Sequence, residues 1–322
     1  MIPLLEVSDL RKHFPIQKHG VQPAGMLHAV DGVSFTLAQG EALGLVGETG
    51  CGKSTLAQLL VRLLDPSSGR ILFNGREISA IPSNDFYAVP DRTQIQMVFQ
   101  DATDSLNPRH TAFDSIADPL WHLKKLRGTE LRDRVLKAAE LVNLPQDLLS
   151  RFPHQLSGGQ KTRVGIARAV GIEPKLIVLD EPTSALDVSI QAVILKLLED
   201  LRMRLNLSYI FVSHDLNVVR MLCERVLVMY MGKVVESGRT VDVFHHPRHP
   251  YTAALINAIP SIKNRGLPTP LRLSGEPMSP IDPSPNQCRF YSRCPKRQNL
   301  CLTSQPPAVH ESEFMTLCHF PL

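Results

Sequence analysis

Short apolar runs along this chain alternate with segments of helical periodicity. Continuous apolar runs of the kind found in buried strands occur at residues 42–46, 176–179 and 209–212. From about residue 112 to residue 150, apolar residues instead recur at spacings of three and four, which is typical of amphipathic helices. Strands that alternate with helices and end in polar groups predict an α/β sheet with its site along that edge.

Other segments predict further strands. Residues 4–7 and 29–35 flank a loop, residues 15–26, that contains glycine and proline, and these residue types interrupt strands. Residues 69–75 predict a strand that enters a turn, and residues 95–101 predict one that ends in polar side chains. The helical segment near residues 112–150 is therefore predicted as a lobe inserted between strands.

A nine-residue stretch, GETGCGKST, lies between the apolar run 42–46 and a helix-like apolar segment, 56–61. The pattern G-x4-G-K-S at a strand-to-helix junction is typical of a phosphate-binding P-loop. Its glycines allow a tight turn, and its N–H groups lie at the positive end of the following helix. A glycine-rich turn without a ligand is the weaker interpretation in this setting. The predicted nucleotide-binding residues are Gly47, Glu48, Thr49, Gly50, Cys51, Gly52, Lys53, Ser54 and Thr55.

Composition narrows the class of protein only slightly. The chain has 322 residues, 43% of them hydrophobic, which suits one large or two smaller globular domains. The net charge of +4 is small and its cations are scattered, so nucleic acid is not an expected partner. We expect no secretory signal at the start and no membrane span, and hence a cytosolic chain.

Three motifs follow the helical lobe in a fixed order. LSGGQ, residues 156–160, opens a helix and predicts a second anion-binding terminus, which we expect its own fold not to require. Asp180 and Glu181 end the apolar strand of LIVLDEP, and His214 ends the next strand. An Asp-Glu pair or a histidine alone could be an ordinary surface group, but polar groups at the ends of successive strands indicate a site along that edge of the sheet.

Together these motifs resemble the ATP-binding subunit of an ABC transporter, over roughly residues 4–260. The P-loop alone fits many NTPases, whereas LSGGQ just upstream of LIVLDEP is close to unique to this family. The resemblance implies an α/β fold with a P-loop NTPase core, an N-terminal antiparallel β subdomain and an inserted helical subdomain at about residues 101–165. A small Cys-rich extension, residues 261–322, would follow an ATPase domain of residues 1–260.

The resemblance also implies roles for residues of the ATP site. Mg²⁺ would be held through Ser54, Gln100 and Asp180, with Asp180 acting through water. Glu181 would polarise the attacking water as a general base. Gln100, the Q-loop glutamine, would sense the γ-phosphate and the transport subunit, and His214 would contact the γ-phosphate. These three, Glu181, His214 and Gln100, are the predicted catalytic residues.

Two further roles concern adenine and a second subunit. Phe14 is similar to the aromatic residue that stacks on adenine in this family, and His13 beside it is the alternative candidate. Phe14 could instead be an aromatic residue of the core without contact to adenine. Asp187 belongs to the D-loop. The signature residues are those of the LSGGQ motif: Ser157, Gly158, Gly159 and Gln160. They would face the nucleotide of the other subunit, so that two head-to-tail chains bury two ATP molecules.

Two weaker motifs are similar to those of oligopeptide and dipeptide importers and their nickel-transporting relatives, namely residues 105–109 and the HPYT segment, residues 249–252. They imply an ATPase at the cytoplasmic face of the plasma (inner) membrane. Its partners would be a second, related ATPase, two transmembrane permease subunits and an extracytoplasmic peptide-binding protein. The alternatives are an importer of nickel or another small solute, an exporter's ATPase, or a soluble ABC protein acting on DNA or ribosomes. A single cassette without long heptads argues against the last.

Four of the six cysteines lie in the last 35 residues, and a reducing cytosol makes disulfides a poor explanation for them. Their intervals of five, six and sixteen residues suit either a 4Fe-4S cluster or a tetrahedral Zn²⁺, and prolines are expected to keep the tail from forming helices. The absence of a C-x2-C knuckle, which is typical of structural zinc sites, and the resemblance to peptide-importer ATPases favour the 4Fe-4S cluster over Zn²⁺. Unligated thiols are the third possibility, although the tail is expected to have little core without a ligand. The predicted ligands are Cys288, Cys294, Cys301 and Cys318.

Overall fold

The computed structural model describes residues 2–17, 25–100, 105–259, 275, 278–311 and 313–322. An antiparallel sheet in the order β2-β1-β4-β5 comes from the N-terminal part of the chain. Its strands are β1 (Leu5–Ile16), β2 (Gly25–Leu37), β4 (Ser68–Phe73) and β5 (Arg76–Glu77).

The main sheet has eight strands in the order β11-β12-β10-β9-β3-β8-β7-β6. The strands from β9 to β6 pair in parallel, and β10, β12 and β11 add antiparallel to the β9 edge. These strands are β3 (Ala42–Val46), β6 (Ile95–Val98), β7 (Leu176–Asp180), β8 (Ser208–Ser213), β9 (Arg225–Tyr230), β10 (Lys233–Arg239), β11 (Ala308–Glu311) and β12 (Phe314–Leu317).

Ten α-helices occur among the described residues. They are α1 (Lys53–Leu60), α2 (Asp91–Gln94), α3 (Ala112–Lys124), α4 (Gly128–Leu141), α5 (Gly158–Val170), α6 (Val188–Leu205), α7 (Leu216–Leu222), α8 (Thr240–His245), α9 (Pro250–Asn257) and α10 (Asn299–Thr303).

The main sheet is buried on both faces, which explains why its central strands are continuous apolar runs. Successive side chains of a strand point to opposite faces. In β3, Leu43 and Leu45 pack in the cluster shared with the small sheet, whereas Ala42 and Val46 pack with the helical lobe. The α/β class with an antiparallel subdomain is therefore confirmed.

Several predicted boundaries shift. Strand β1 continues through Ile16 and β2 starts at Gly25, so the predicted loop at residues 15–26 is shorter and its centre lies outside the described residues. Strand β6 ends at Val98, three residues before the predicted end, and Asp101 itself is not described. The inserted lobe contains α3 and α4, and α5 follows it.

The C-terminal tail differs from expectation in two respects. It contains a short helix, α10, which carries Cys301 despite the neighbouring prolines. It also packs against the body of the protein: β12 pairs with β10, and Phe290 is buried against Tyr230 and Tyr251. The tail therefore shares a core with the preceding domain, and the predicted division at residue 260 falls in a segment, residues 260–274, that the structure does not describe.

Candidate functional site

The P-loop runs from the end of β3 to the start of α1, as the strand-to-helix pattern predicted. At two of its glycines a side chain cannot be accommodated. A Cβ on Gly52 would lie 2.0 Å from the carbonyl oxygen of Ala29, and one on Gly47 would lie 2.2 Å from that of Met229. Gly52 also has a φ of 106°, which side-chain-bearing residues rarely adopt. These glycines let the loop lie directly against neighbouring backbone.

Lys53 is buried at the first turn of α1, and its amine lies inside the loop. Nζ donates to the carbonyl oxygens of Gly47 at 2.8 Å and Glu48 at 3.0 Å. The loop thereby surrounds a positive charge next to the N–H groups of a helix start, an arrangement suited to binding a polyphosphate.

Ser54 and Asp180 bring two oxygen atoms together beside the loop. The Ser54 hydroxyl donates to Oδ1 of Asp180 at 3.3 Å, and Asp180 ends β7 in a buried position. Burial raises the pKa of Asp180, so a cation beside it would stabilise the charged carboxylate. A hydroxyl and a carboxylate are the kinds of oxygen ligand that Mg²⁺ binds.

Glu181 lies one residue beyond β7, where its carboxylate contacts both other predicted catalytic residues. Oε2 lies 3.0 Å from Nδ1 of His214 and 3.2 Å from Nε2 of Gln100, which donates to it. The three residues therefore meet at one edge of the sheet, as their positions at the ends of strands predicted. Such a carboxylate can accept a proton from a water molecule.

A cleft of about 430 Å³ connects these groups, a size within the usual range for small-molecule sites. Six P-loop residues line it together with Gln100, Glu181 and His214, which joins the predicted phosphate and catalytic groups in one site. The P-loop residues are Thr49, Gly50, Gly52, Lys53, Ser54 and Thr55.

One side of the cleft was not predicted from the sequence. Leu27, His28 and Ala29 line it from β2, and Pro280 lines it from the C-terminal segment. Leu27 pairs with Phe14 in the β1–β2 register, but Phe14 is not among the lining residues; it is half-buried beneath the amine of Lys12. The proposed adenine contact of Phe14 stays a prediction.

The signature residues lie at the start of α5, outside the lining of this cleft. Contrary to expectation, the fold does use them. The Ser157 hydroxyl accepts from the N–H of Gln160 at 3.4 Å, and the N–H of Ser157 donates to Oε1 of Gln160 at 2.9 Å, a reciprocal cap. Gly159 leaves room for Ile190, which a Cβ would approach to 2.7 Å. Asp187 precedes α6 and is exposed.

The four tail cysteines line a second pocket and none of them forms a disulfide. Burial raises the pKa of Cys288 to about 11, so its thiol stays protonated at neutral pH unless a metal binds. Among the described residues, no three of these sulfurs lie within 4.8 Å of one another. His249 and His319 also line the pocket, but each ring already makes a hydrogen bond to backbone.

Comparisons with known proteins agree with this geometry. The sequence profile of the ABC transporter family matches residues 30–184, and that of the oligopeptide/dipeptide transporter C-terminal region matches residues 235–301. The oligopeptide transport ATP-binding protein AppF of Bacillus subtilis is 44% identical over 98% of this chain and 97% of its own length. The oligopeptide transport ATP-binding protein OppF of Escherichia coli is 46% identical over 94% and 92%, respectively. The dipeptide transport ATP-binding protein DppF of the same organism is 42% identical over 94% and 90%.

Solved structures give the same result. CbiO1 of Clostridium perfringens, described as part of an ABC transporter complex, is 32% identical, with a TM-score of 0.64 over 76% of this chain and 91% of that one. A dimeric, post-hydrolysis state of the ATP-binding cassette MJ0796 with ADP and Pi is 29% identical, with a TM-score of 0.63 over 73% and 98%. Among the helices of the described residues, none has the length and apolar character that a membrane span requires.

Proposed function

Because this chain belongs to the ABC transporter family of ATP-binding proteins, we propose that it hydrolyses ATP to energise the import of dipeptides or oligopeptides through a membrane transporter. One observation carries the proposal: a cleft lined by the P-loop, Gln100, Glu181 and His214 occurs in the same chain as the oligopeptide/dipeptide transporter C-terminal region. The relatives at 42–46% identity are named for the transport of these peptides.

The chemistry follows from the cleft. Lys53 and the N–H groups at the start of α1 bind the β- and γ-phosphates of ATP. Ser54, Asp180 and Gln100 would hold Mg²⁺, which would neutralise phosphate charge there. Glu181 takes the proton of the attacking water, and His214 fixes the orientation of Glu181. The positions of these residues at the ends of neighbouring strands hold the groups in place before ATP binds.

The active form contains two ATPase chains. The signature residues of this chain lie outside its own cleft. Asp187 and the first three residues of α6 after it are exposed, with Val188 at 82% exposure. These surfaces are free for a head-to-tail partner, which we take to be a related ATPase. Two permease subunits hold the pair at the cytoplasmic face of the inner membrane, and an extracytoplasmic protein delivers the peptide.

The tail cysteines bind one 4Fe-4S cluster with a structural role. Four thiols line a common pocket, which supports a shared ligand. The lack of a C-x2-C knuckle among the cysteines favours an iron–sulfur centre over a zinc site, the thiolates of all four cysteines being its ligands.

The proposal is tested by purifying the tagged chain from detergent-solubilised membranes of its own organism and identifying its partners by mass spectrometry. We expect two integral membrane proteins and a second ATPase in stoichiometric amounts, with an untagged strain as the control. Recovery with ribosomes or DNA and without membrane proteins would contradict a transport function.

A further inference from the structure

The tail makes a direct ion pair with the P-loop. Arg293, which precedes Cys294, donates from both terminal nitrogens to the two carboxylate oxygens of Glu48, at 2.6 and 2.9 Å. The side chain of Arg293 is only 7% exposed and that of Glu48 is 32% exposed. A bidentate, largely buried pair of this kind has a fixed geometry as well as a favourable charge interaction.

Glu48 is held by its backbone as well. Its N–H donates to the hydroxyl of Tyr251 at 2.9 Å, and its carbonyl oxygen accepts from Lys53. The ring of Tyr251 packs against Phe290 of the tail. Glu48, the second residue of the P-loop, is therefore held by contacts with two side chains of the C-terminal region, those of Arg293 and Tyr251.

A second arginine of the tail contacts residues of and next to the cleft lining. Arg289, which follows Cys288, pairs with Asp31 on β2 and donates to the carbonyl oxygen of Met231. Met231 lines the cleft, and so do residues 27–29 of the same β2 strand. The carbonyl oxygen of Pro280 adds a hydrogen bond from the N–H of His28 at 3.0 Å.

The charge of Glu48 gives the ion pair a consequence for nucleotide binding. The loop that carries this carboxylate also lines the proposed phosphate site, and like charges repel each other unless a cation compensates one of them. Arg293 supplies that compensation from the tail.

We propose that Arg293 is a positioning residue for ATP, acting through Glu48: it neutralises and orients the P-loop carboxylate so that the loop accepts phosphates. The inference rests on the assignment of ATP to this cleft, but it does not depend on which metal the tail binds. The tail thereby contributes to nucleotide binding.

The experiment measures the dissociation constant of a fluorescent ATP analogue with Mg²⁺ for four full-length proteins and the wild type. The variants are Arg293→Gln, Glu48→Gln, the double variant, and Arg297→Gln as the matched control, since Arg297 donates to Ser292 within the tail. Arg293→Gln should raise the dissociation constant about tenfold, equivalent to about 1.4 kcal/mol. The double variant should bind more tightly than Arg293→Gln because no uncompensated carboxylate is left.

This rescue separates a charge effect from general damage to the fold. A double variant that binds as weakly as Arg293→Gln, or an Arg293→Gln protein that binds like wild type, would overturn the inference. Wild-type protein that binds no nucleotide would overturn both the inference and the proposed function. A thermal melt of each protein, with analysis of its metal content against wild type, verifies that the tail remains folded. Equal weakening by Arg297→Gln would also count against a specific role of Arg293.

Discussion

Oε2 of Glu181 lies 3.0 Å from Nδ1 of His214. The two residues follow adjacent parallel strands, β7 and β8, each by one position. Glu181 adopts a φ of 45°, unusual for a residue with a side chain, and its N–H donates to the carbonyl oxygen of Val212 at 3.0 Å. The sheet therefore fixes the backbone of Glu181, and His214 and Gln100 contact its carboxylate.

Glu181→Gln should bind Mg-ATP normally but lose hydrolysis by about 10²–10⁴-fold, because only the proton-accepting carboxylate is removed. Phosphate release and nucleotide binding measured on the same preparation check both parts. Size-exclusion chromatography should show a trapped two-chain form with ATP. Normal turnover by this variant would refute the role of Glu181.

Lys53→Ala should weaken binding of Mg-ATP, since a charge-assisted contact of about 1.5–3 kcal/mol is lost. Equilibrium titration with a fluorescent analogue measures the change. Lys196→Ala is the matched control, because Lys196 lies on α6 and pairs with Glu199 at 3.0 Å. Equal affinities of the two variants would remove Lys53 from the site.

Ser157→Arg in one chain of a mixed dimer should abolish hydrolysis at the ATP site whose P-loop belongs to the other chain. Labelling each P-loop separately shows which site is lost. Because Ser157 also caps α5, Thr111→Arg, which disrupts a similar cap at α3, controls for lost helix stability. Loss at the mutated chain's own P-loop would contradict the head-to-tail arrangement.

Protein purified without oxygen should contain about four iron and four labile sulfide per chain, and each single Cys→Ser change at the tail should lower both. Elemental and sulfide analysis measures them, with Cys223→Ser as the control for a buried thiol outside the tail. One zinc per chain without sulfide would exclude the cluster, and no metal would exclude the site.

His249 should make the protein sensitive to acid. Burial lowers its pKa to about 3 from an ordinary 6.5, so below pH 6.5 the unfolded chain binds a proton that the folded chain does not. Stability should therefore fall between about pH 6.5 and pH 3, by up to about 1.4 kcal/mol per pH unit.

Urea unfolding at several pH values measures this slope. His249→Asn keeps an acceptor for the N–H of Tyr251 at the start of α9 and should flatten the slope. Exposed His245→Asn is the control. Burial also raises the pKa of Glu236, and this shift makes the folded protein more stable as the pH falls, opposite to the effect of His249. The slope of wild type is therefore compared with the slopes of the variants. Identical slopes for wild type and His249→Asn would contradict the effect.

Local sequence was sufficient to predict the position of a candidate site residue wherever that residue lies at the end of a buried strand. The apolar runs located β3, β7 and β8, and parallel pairing then brings Lys53, Asp180, Glu181 and His214 to one edge. Motif spacing could predict that these groups meet, because Asp180, Glu181 and His214 lie at or directly after the ends of their strands and Lys53 begins the helix after β3.

Contacts between distant segments were not predictable in this way. Glu48 and Arg293 are 245 positions apart, and Leu27 enters the cleft only through its pairing in the small sheet. The cap between Ser157 and Gln160 could have been predicted from the sequence, because Ser-x-x-Gln at the start of a helical pattern is a capping signature. The tail's packing depends on Phe290 meeting two tyrosines, which no local periodicity indicates.

The central claim is that ATP hydrolysis by this chain drives peptide import, and uptake into proteoliposomes tests it most directly. Vesicles containing the co-purified permeases and both ATPases, with ATP inside and the binding protein outside, are given labelled dipeptides, oligopeptides or nickel ions. The account predicts ATP-dependent accumulation of peptide that Glu181→Gln abolishes. Accumulation of nickel alone, or peptide uptake that persists in the Glu181→Gln vesicles, would contradict it.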